Sequence, residues 1–251
     1  MKIHIKTLYI FLLVIAMSSC GDEYDYLASV QSAVNSAKLK VIHAAPDTTG
    51  VILKIDGKVV SGVNTAANGT PGLVNFASFF PLSEYFTVEP GNKKLTVTFS
   101  SADLKTQADF NSDIKLDANK FYSAYIVGTK PNYSVIYGVD DLSAIDPTKT
   151  HVRFVNTVSN TPSIGYEVLL NNVVTDTKTS MTNGTDNFIA LDQDGTQRFT
   201  IVVRQKGTTT ALSTLSNLNF LKGKKYTLLI RGINGATSTA QKVTAQTFGN
   251  N

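Results

Sequence analysis

The chain carries one plan twice, and that repetition constrains its fold more than any single residue does. Lys40-Val41-Ile42-His43-Ala44 aligns with Arg153-Phe154-Val155-Asn156-Thr157. Val51-Ile52-Leu53-Lys54-Ile55-Asp56-Gly57 aligns with Tyr166-Glu167-Val168-Leu169-Leu170-Asn171-Asn172, at the same offset of 115 that relates Asn68-Gly69-Thr70 to Asn183-Gly184-Thr185. Later matches share an offset of 104: Gly91 with Gly195, Leu95-Thr96-Val97 with Phe199-Thr200-Ile201, Tyr122 with Tyr226 and Gly128 with Gly232. The change of offset gives the first copy about eleven extra residues between Thr70 and Gly91. That stretch holds Phe76, Phe79, Phe80 and Tyr85.

Each copy reads as strands. Lys94 to Ser100 and Arg198 to Arg204 are rich in β-branched residues and lack a helical period. Asp56-Gly57 and Asn171-Asn172 lie between apolar runs, where residues tolerant of positive φ suit a two-residue hairpin. Turn signals recur about every 8–12 residues, the rhythm of a β-sandwich. Leu116 to Tyr122 and Phe220 to Tyr226 each place an apolar residue, a turn and then a tyrosine opening a strand. That is the pattern of a tyrosine corner, whose phenol bonds to upstream backbone. The fold expected is all-β: two tandem immunoglobulin-like Greek-key β-sandwiches, over residues 37–140 and 150–251, joined by a linker at 141–149. At 42% hydrophobic residues the chain has material for two cores. Its single cysteine rules out an internal disulfide, so packing must hold the fold.

That cysteine, Cys20, follows Lys2, Lys6, an apolar run from Leu8 to Ala16, and Ser18-Ser19. A basic start, a short apolar stretch and small residues describe a secretory signal. The run is about nine residues, against the ~20 that a membrane-spanning helix needs. Met17-Ser18-Ser19-Cys20 resembles a bacterial lipobox, which makes residues 1–19 a lipoprotein signal peptide, Cys20 the lipidated residue and 20–36 a tether. The implied place is the cell envelope, as an outer-membrane lipoprotein facing the periplasm or the cell surface, held to the membrane through its lipid anchor. Removing Lys2 and Lys6 lowers the formal charge from +4 to about +2. Without a basic cluster, that balance argues against nucleic acid as a partner.

Lys38 to Asp47, with Val51 to Gly57 after it, resembles the opening of the bacterial family called domain of unknown function 4397. Its members often begin with a valine-rich strand ending in His-Ala-Ser-Pro-Asp, followed by a Val-Asp-Gly hairpin. Tyr85 to Gly91 and Phe121 to Gly128 resemble its later segments. The resemblance covers about residues 37–138, and the second copy fits it more weakly, with Asn156 in place of His43. It implies a secreted or lipid-anchored protein and no established activity.

Candidate chemistry is sparse. His43 and Asp47, four residues apart, are the nearest approach to a metal or proton-relay pair, but two ligands do not make a metal site. Pro46-Asp47 reads as a turn after the first strand, with His43 half-buried at the strand end. His43 and His151 fall in different copies, and no nucleophile motif accompanies either. No catalytic residue, metal site or cofactor is assigned. Asp140, Asp141 and Asp146 read as a solvated linker. Phe79 and Phe80, with Phe76 and Tyr85, are either core strand or an exposed apolar partner site. The ligand-binding candidates are therefore His43, Asp47, Phe79 and Phe80. The leading functional expectation is non-enzymatic binding or display, of a protein or cell-surface component. A glycan-binding accessory lipoprotein of a polysaccharide-uptake system is the alternative, and a carboxylate-based hydrolase the third.

Overall fold

The computed structural model describes residues 34–64, 70–100, 109–143, 145–161, 163–171, 173–192 and 198–250. Cys20, the signal segment and most of the expected tether lie outside the described residues. The first half contains β1 (Ala37–His43), β2 (Gly50–Ile55), β3 (Lys58–Val59), β4 (Val63–Asn64), β5 (Thr70–Pro71) and β6 (Val74–Asn75). It continues with β7 (Phe79–Phe80), β8 (Phe86–Val88), β9 (Gly91–Phe99), β10 (Phe110–Leu116), β11 (Phe121–Thr129) and β12 (Asn132–Val139). The second half contains β13 (Lys149–Asn156), β14 (Ser163–Leu170), β15 (Val173–Thr182), β16 (Gly184–Thr185) and β17 (Ile189–Asp192). It ends with β18 (Phe199–Gln205), β19 (Ala211–Leu218), β20 (Lys225–Arg231) and β21 (Thr244–Gly249).

The protein is all-β. In the first half, a sheet of order β12-β11-β1-β7, with β8 also on β1, faces a sheet of order β10-β9-β2-β3. In the second half, β21-β20-β13-β16, with β17 also on β13, faces β19-β18-β14-β15. The two orders match strand for strand. Both halves even share one parallel pairing in the same place, β1 with β11 and β13 with β20. The repeat seen in the sequence is thus a repeat of topology. The two-residue β7 and β8, inside the longer segment of copy one, stand where β16 and β17 stand in copy two.

Burial explains why some strands alternate and others do not. In β18 from Phe199 to Val203, and in β9 from Leu95 to Phe99, every second residue is buried, because one face meets the core and the other meets water. In β1 and β13 nearly every residue is buried. Leu39 and Val41 point into the first core, while Ile42 packs against Val155 and Leu229 of the other half. The inner sheets of the two sandwiches therefore lie face to face. A third apolar cluster sits between them: Ile42, Ala44, Tyr125, Val127, Val155, Leu229 and Phe248. Each fully buried aliphatic side chain there contributes about 1.5–3 kcal/mol relative to exposure.

Local chemistry sets the turns and corners. Asp56 and Gly57 both have positive φ, 49° and 84°, as a hairpin twisted like its strands requires. The Tyr122 phenol oxygen accepts the Asp117 N–H at 2.9 Å, and that of Tyr226 accepts the Leu221 N–H at 3.1 Å. Both corners thus close on backbone five residues upstream. Gly128, one residue before the end of β11, has φ +95°, and a Cβ there would stand 2.2 Å from the Asn132 carbonyl oxygen. Its counterpart Gly232 is similarly crowded by the Lys242 carbonyl.

Candidate functional site at the seam between the sandwiches

The seam holds the densest buried polar chemistry described, and it is built from equivalent positions of the two copies. Along the parallel pairs, Lys40 lies opposite Ser123 and Arg153 opposite Thr227. Asp140 continues β12, its N–H bonding the Phe121 carbonyl; Asn250 continues β21, bonding the Lys225 carbonyl in the same way. Ser123 Oγ donates to Asp140 Oδ2 at 2.6 Å, and Thr227 Oγ1 donates to Asn250 Oδ1 at 2.7 Å. Lys40 thus corresponds to Arg153, Ser123 to Thr227 and Asp140 to Asn250.

Arg153 crosses the seam. Its Nη2 lies 2.6 Å from Asp140 Oδ1, with both side chains essentially out of water. Its Nε donates to Thr227 Oγ1 at 2.8 Å, and its planar group lies 4.9 Å from the centre of the Phe188 ring. Burial alone would lower the pKa of this guanidinium, but Tyr125, Asp140 and Tyr85 outweigh it and push it up. Tyr85 Oη donates to Asp140 Oδ2 at 2.5 Å and accepts from Asn250 Nδ2 at 3.1 Å, tying the two copies together. Burial, and then Asp140, raises its phenol well above the ordinary value.

Lys40 has different surroundings. It is 1% exposed, and its Nζ lies 4.6 Å from the ring centre of Tyr85, 5.5 Å from Phe79 and 5.6 Å from Phe248. Burial lowers its pKa; Asp140 opposes that shift and Arg153 adds to it. The same three rings line a cleft of about 520 Å³ between the halves, with Phe121, Leu82 and Leu142 as further apolar wall. Lys38, Glu84 and Asn250 supply polar groups there. Lys38 Nζ donates to Thr87 Oγ1 at 2.7 Å, so its ammonium is already held at the rim.

The residues singled out from sequence fall in three places. His43 is fully buried rather than half-buried, and its Nε2 lies 3.0 Å from Thr48 Oγ1. Asp47 accepts from the Lys130 N–H at 2.7 Å and from Tyr133 Oη at 3.1 Å, so it pins the first loop to the β11–β12 hairpin. The two do not share a site, and no three His, Cys, Asp or Glu residues gather among the described residues. Phe79 and Phe80 form a short strand on β1, both half-buried. Phe80 packs on Phe86 within its own half, whereas Phe79 reaches Phe248 of the other half at 5.2 Å. Cys20 lies outside the described residues.

One reading is overturned. Asp140 is not part of a solvated linker, because it extends the β12 ladder and so turns its carboxylate into the seam. Asp141 and Asp146 are exposed, and each carboxylate caps the backbone two residues on. Sequence reasoning passed over Lys40, Arg153 and Asn250. The available signal was a basic residue at the same point of two aligned strands, Lys40 and Arg153.

Fold and seam together define the class: an all-β protein of paired sandwiches locked face to face, with a cleft along the joint. The chain belongs to the family described as domain of unknown function (DUF4397), whose model matches residues 37–167. The match covers the first sandwich and runs on through β13 into β14, so it includes both Asp140 and Arg153. No curated protein matches the chain. Among solved structures it is similar to a candidate cell adhesion protein from Bacteroides eggerthii, at 10% identity over 89% of this chain and 98% of that one, with a TM-score of 0.23. A second, from Parabacteroides distasonis, shows 8% identity over 87% and 100%, with a TM-score of 0.20. A third, from Bacteroides uniformis, shows 15% identity over 86% and 99%, with a TM-score of 0.15. Superpositions this poor carry no weight for fold or function.

Proposed function

We propose that the chain is an envelope-anchored, non-catalytic binding or display protein. Cys20 bears the lipid, the residues up to about 36 act as tether, and the two sandwiches project as one rigid head that engages a protein or cell-surface component. The observation that carries the display reading is the seam, which fixes the two sandwiches in one orientation through buried charge and apolar contact. A rigid head presents a surface without the entropic cost of ordering two mobile units. The non-catalytic part is supported by how the reactive side chains are used. His43 lies by its loop, Asp47 anchors a hairpin, and Asp140 neutralises Arg153. A glycan-binding role is the second reading, favoured by the aromatic wall of the seam cleft, since aromatic side chains join large contact area to little conformational cost.

The test is made in the native host with wild-type protein and Cys20→Ser. Acylated wild type in the membrane fraction, with the variant released to the soluble fraction, supports the anchor; equal fractionation overturns it. Protease treatment of whole cells then separates a surface-facing head, which is cleaved, from a periplasmic one. A glycan array probed with the soluble head decides between the two binding readings.

A further inference from the structure

We propose that the polar hollow beside Arg153 is a binding site for a tetrahedral oxyanion, a sulfate or phosphate group, received by Arg153, His151 and Lys225. This goes beyond the display reading and does not depend on it.

The repeat shows how the hollow arises. Along the parallel pairs His151 lies opposite Lys225, as Lys38 lies opposite Phe121 in the first copy. Val152 pairs with Ile189 as Leu39 pairs with Phe86, so Phe188 stands where Tyr85 stands. The hollow lined by His151, Arg153, Asp186, Phe188 and Lys225 is therefore the second copy's version of the seam cleft. Lys225 in place of Phe121 turns an apolar wall into a cationic one. The volume falls from about 520 Å³ to about 230 Å³. That is below the ~300–1,000 Å³ usual for drug-sized ligands and several times the ~30 Å³ share of a water molecule, a size for one small polar group.

The donors are in place and not all of them are used. His151 and Arg153 are two residues apart on β13, on the face that carries Val155 into the seam. Arg153 engages Asp140, Ser123 and Tyr125 through Nη2 and Thr227 through Nε. Its Nη1 makes no hydrogen bond among the described residues and is not sealed off from solvent. His151 is 8% exposed, and its Nδ1 is buried with no hydrogen-bond partner among the described residues. Burial, and then Lys225, lowers the His151 pKa, so the ring is neutral at pH 7 and able to carry its one proton on Nδ1. Lys225 donates at 2.6 and 2.7 Å to the Asp141 and Ser143 carbonyls, which fixes its ammonium on the wall, 5.1 Å from the centre of the Phe188 ring. Two carboxylates also line the hollow, and both are engaged. Asp141 accepts from the Ser143 N–H and hydroxyl, and Asp186 holds the Lys178 ammonium with both oxygens. They oppose an anion that meets a single donor. A tetrahedral group presents oxygens in several directions at once, and charge-assisted bonds of this kind are about twice as strong as neutral ones.

Isothermal titration of the purified protein at pH 7, in chloride buffer of constant ionic strength, tests this with sodium sulfate, glucose 6-sulfate and glucose. Sulfate in at least one of its two forms is expected to bind with one-to-one stoichiometry, and glucose at least tenfold more weakly. Binding of the inorganic ion assigns the site to a free oxyanion, and binding of the ester alone assigns it to the charged end of a sugar. Arg153→Lys keeps a cation for Asp140 but loses Nη1, and should weaken binding tenfold or more. His151→Leu should weaken it at least fivefold. Asp141→Asn, at an exposed position where the amide can still cap Ser143, should tighten it severalfold. Equal binding of glucose and its sulfate, full affinity in folded His151→Leu, indifference to Asp141→Asn, or no saturable binding of either form of sulfate would overturn the proposal. None of these results bears on the anchor at Cys20.

Discussion

Lys40 and Arg153 occupy equivalent points of the two copies, yet removing their charges should act in opposite directions. Arg153→Met leaves Asp140 buried without its cation, and losing one partner of a buried pair costs about 3–5 kcal/mol. Lys40→Met removes a buried charge that has no carboxylate of its own. The protein should gain on the order of 1 kcal/mol, which for a chain of this size raises Tm by about 2–4 °C. The pH dependence separates this from a packing effect. The folded pKa of Lys40 lies below its unfolded value, so the folded state binds this proton less tightly. Stability therefore rises as pH climbs from that depressed value towards the ordinary lysine value of about 10.4. Thermal melts at pH 7 and pH 10 should show the advantage of Lys40→Met shrinking as Lys40 of the wild type loses its proton. An advantage that is the same at both pH values would mean that packing, not charge, sets it.

At the scale of elements, the two tyrosine corners offer a matched comparison. Tyr122 is buried and its bond to the Asp117 N–H is partly shielded, whereas the Tyr226 bond to Leu221 is exposed. Tyr122→Phe should therefore cost about 1 kcal/mol and Tyr226→Phe distinctly less, because water replaces the lost partner more readily there. Chemical denaturation of both variants measures the difference. These corners were legible in the sequence, as were the hairpin at Asp56-Gly57 and the strands β9 and β18, because turn chemistry and two-residue alternation are local. The seam was not. Lys40 looks like an ordinary strand lysine until a second sandwich covers it, and Asp140 reads as linker until the ladder of β12 is seen to run one residue further. The sequences of β1 and β13, with Lys38, Lys40, Arg153 and other polar residues among the apolar ones, read as strands with one wet face, although nearly every residue of both is buried. What they cannot carry is which surface covers the second face, since that depends on how two units 113 residues apart in register come together. Phe79 shows the same limit: the sequence leaves it open between core strand and exposed partner site, and nothing local points to its contact with Phe248.

On the scale of the whole molecule, tandem sandwiches joined by a flexible linker would unfold separately, whereas sandwiches that share a core should not. The cluster of Ile42, Tyr125, Val155, Leu229 and Phe248 and the Arg153–Asp140 pair belong to neither half alone. Unfolding one half would expose the inner face of the other and strand a charge. Scanning calorimetry should accordingly show one transition, with calorimetric and van 't Hoff enthalpies in agreement. Two resolved transitions would show that the seam is too weak to couple the halves. The same coupling should fail from the alkaline side. Tyr125 has its phenol pushed up to about 12, chiefly by burial, and Tyr85 is raised by burial and by Asp140. In the unfolded chain both titrate near 10. Because the folded pKa lies above the unfolded one, their contribution is complete below pH 10 and is lost as pH rises towards the folded values. Lys40 no longer opposes this trend once pH exceeds its unfolded pKa. Tm should hence fall steeply above pH 10, and Tyr85→Phe should make that fall shallower while lowering stability at neutral pH through the lost bonds to Asp140 and Asn250. A wild-type Tm that stays level from pH 9 to pH 11 would place the stability of the molecule in its two separate cores rather than at the joint.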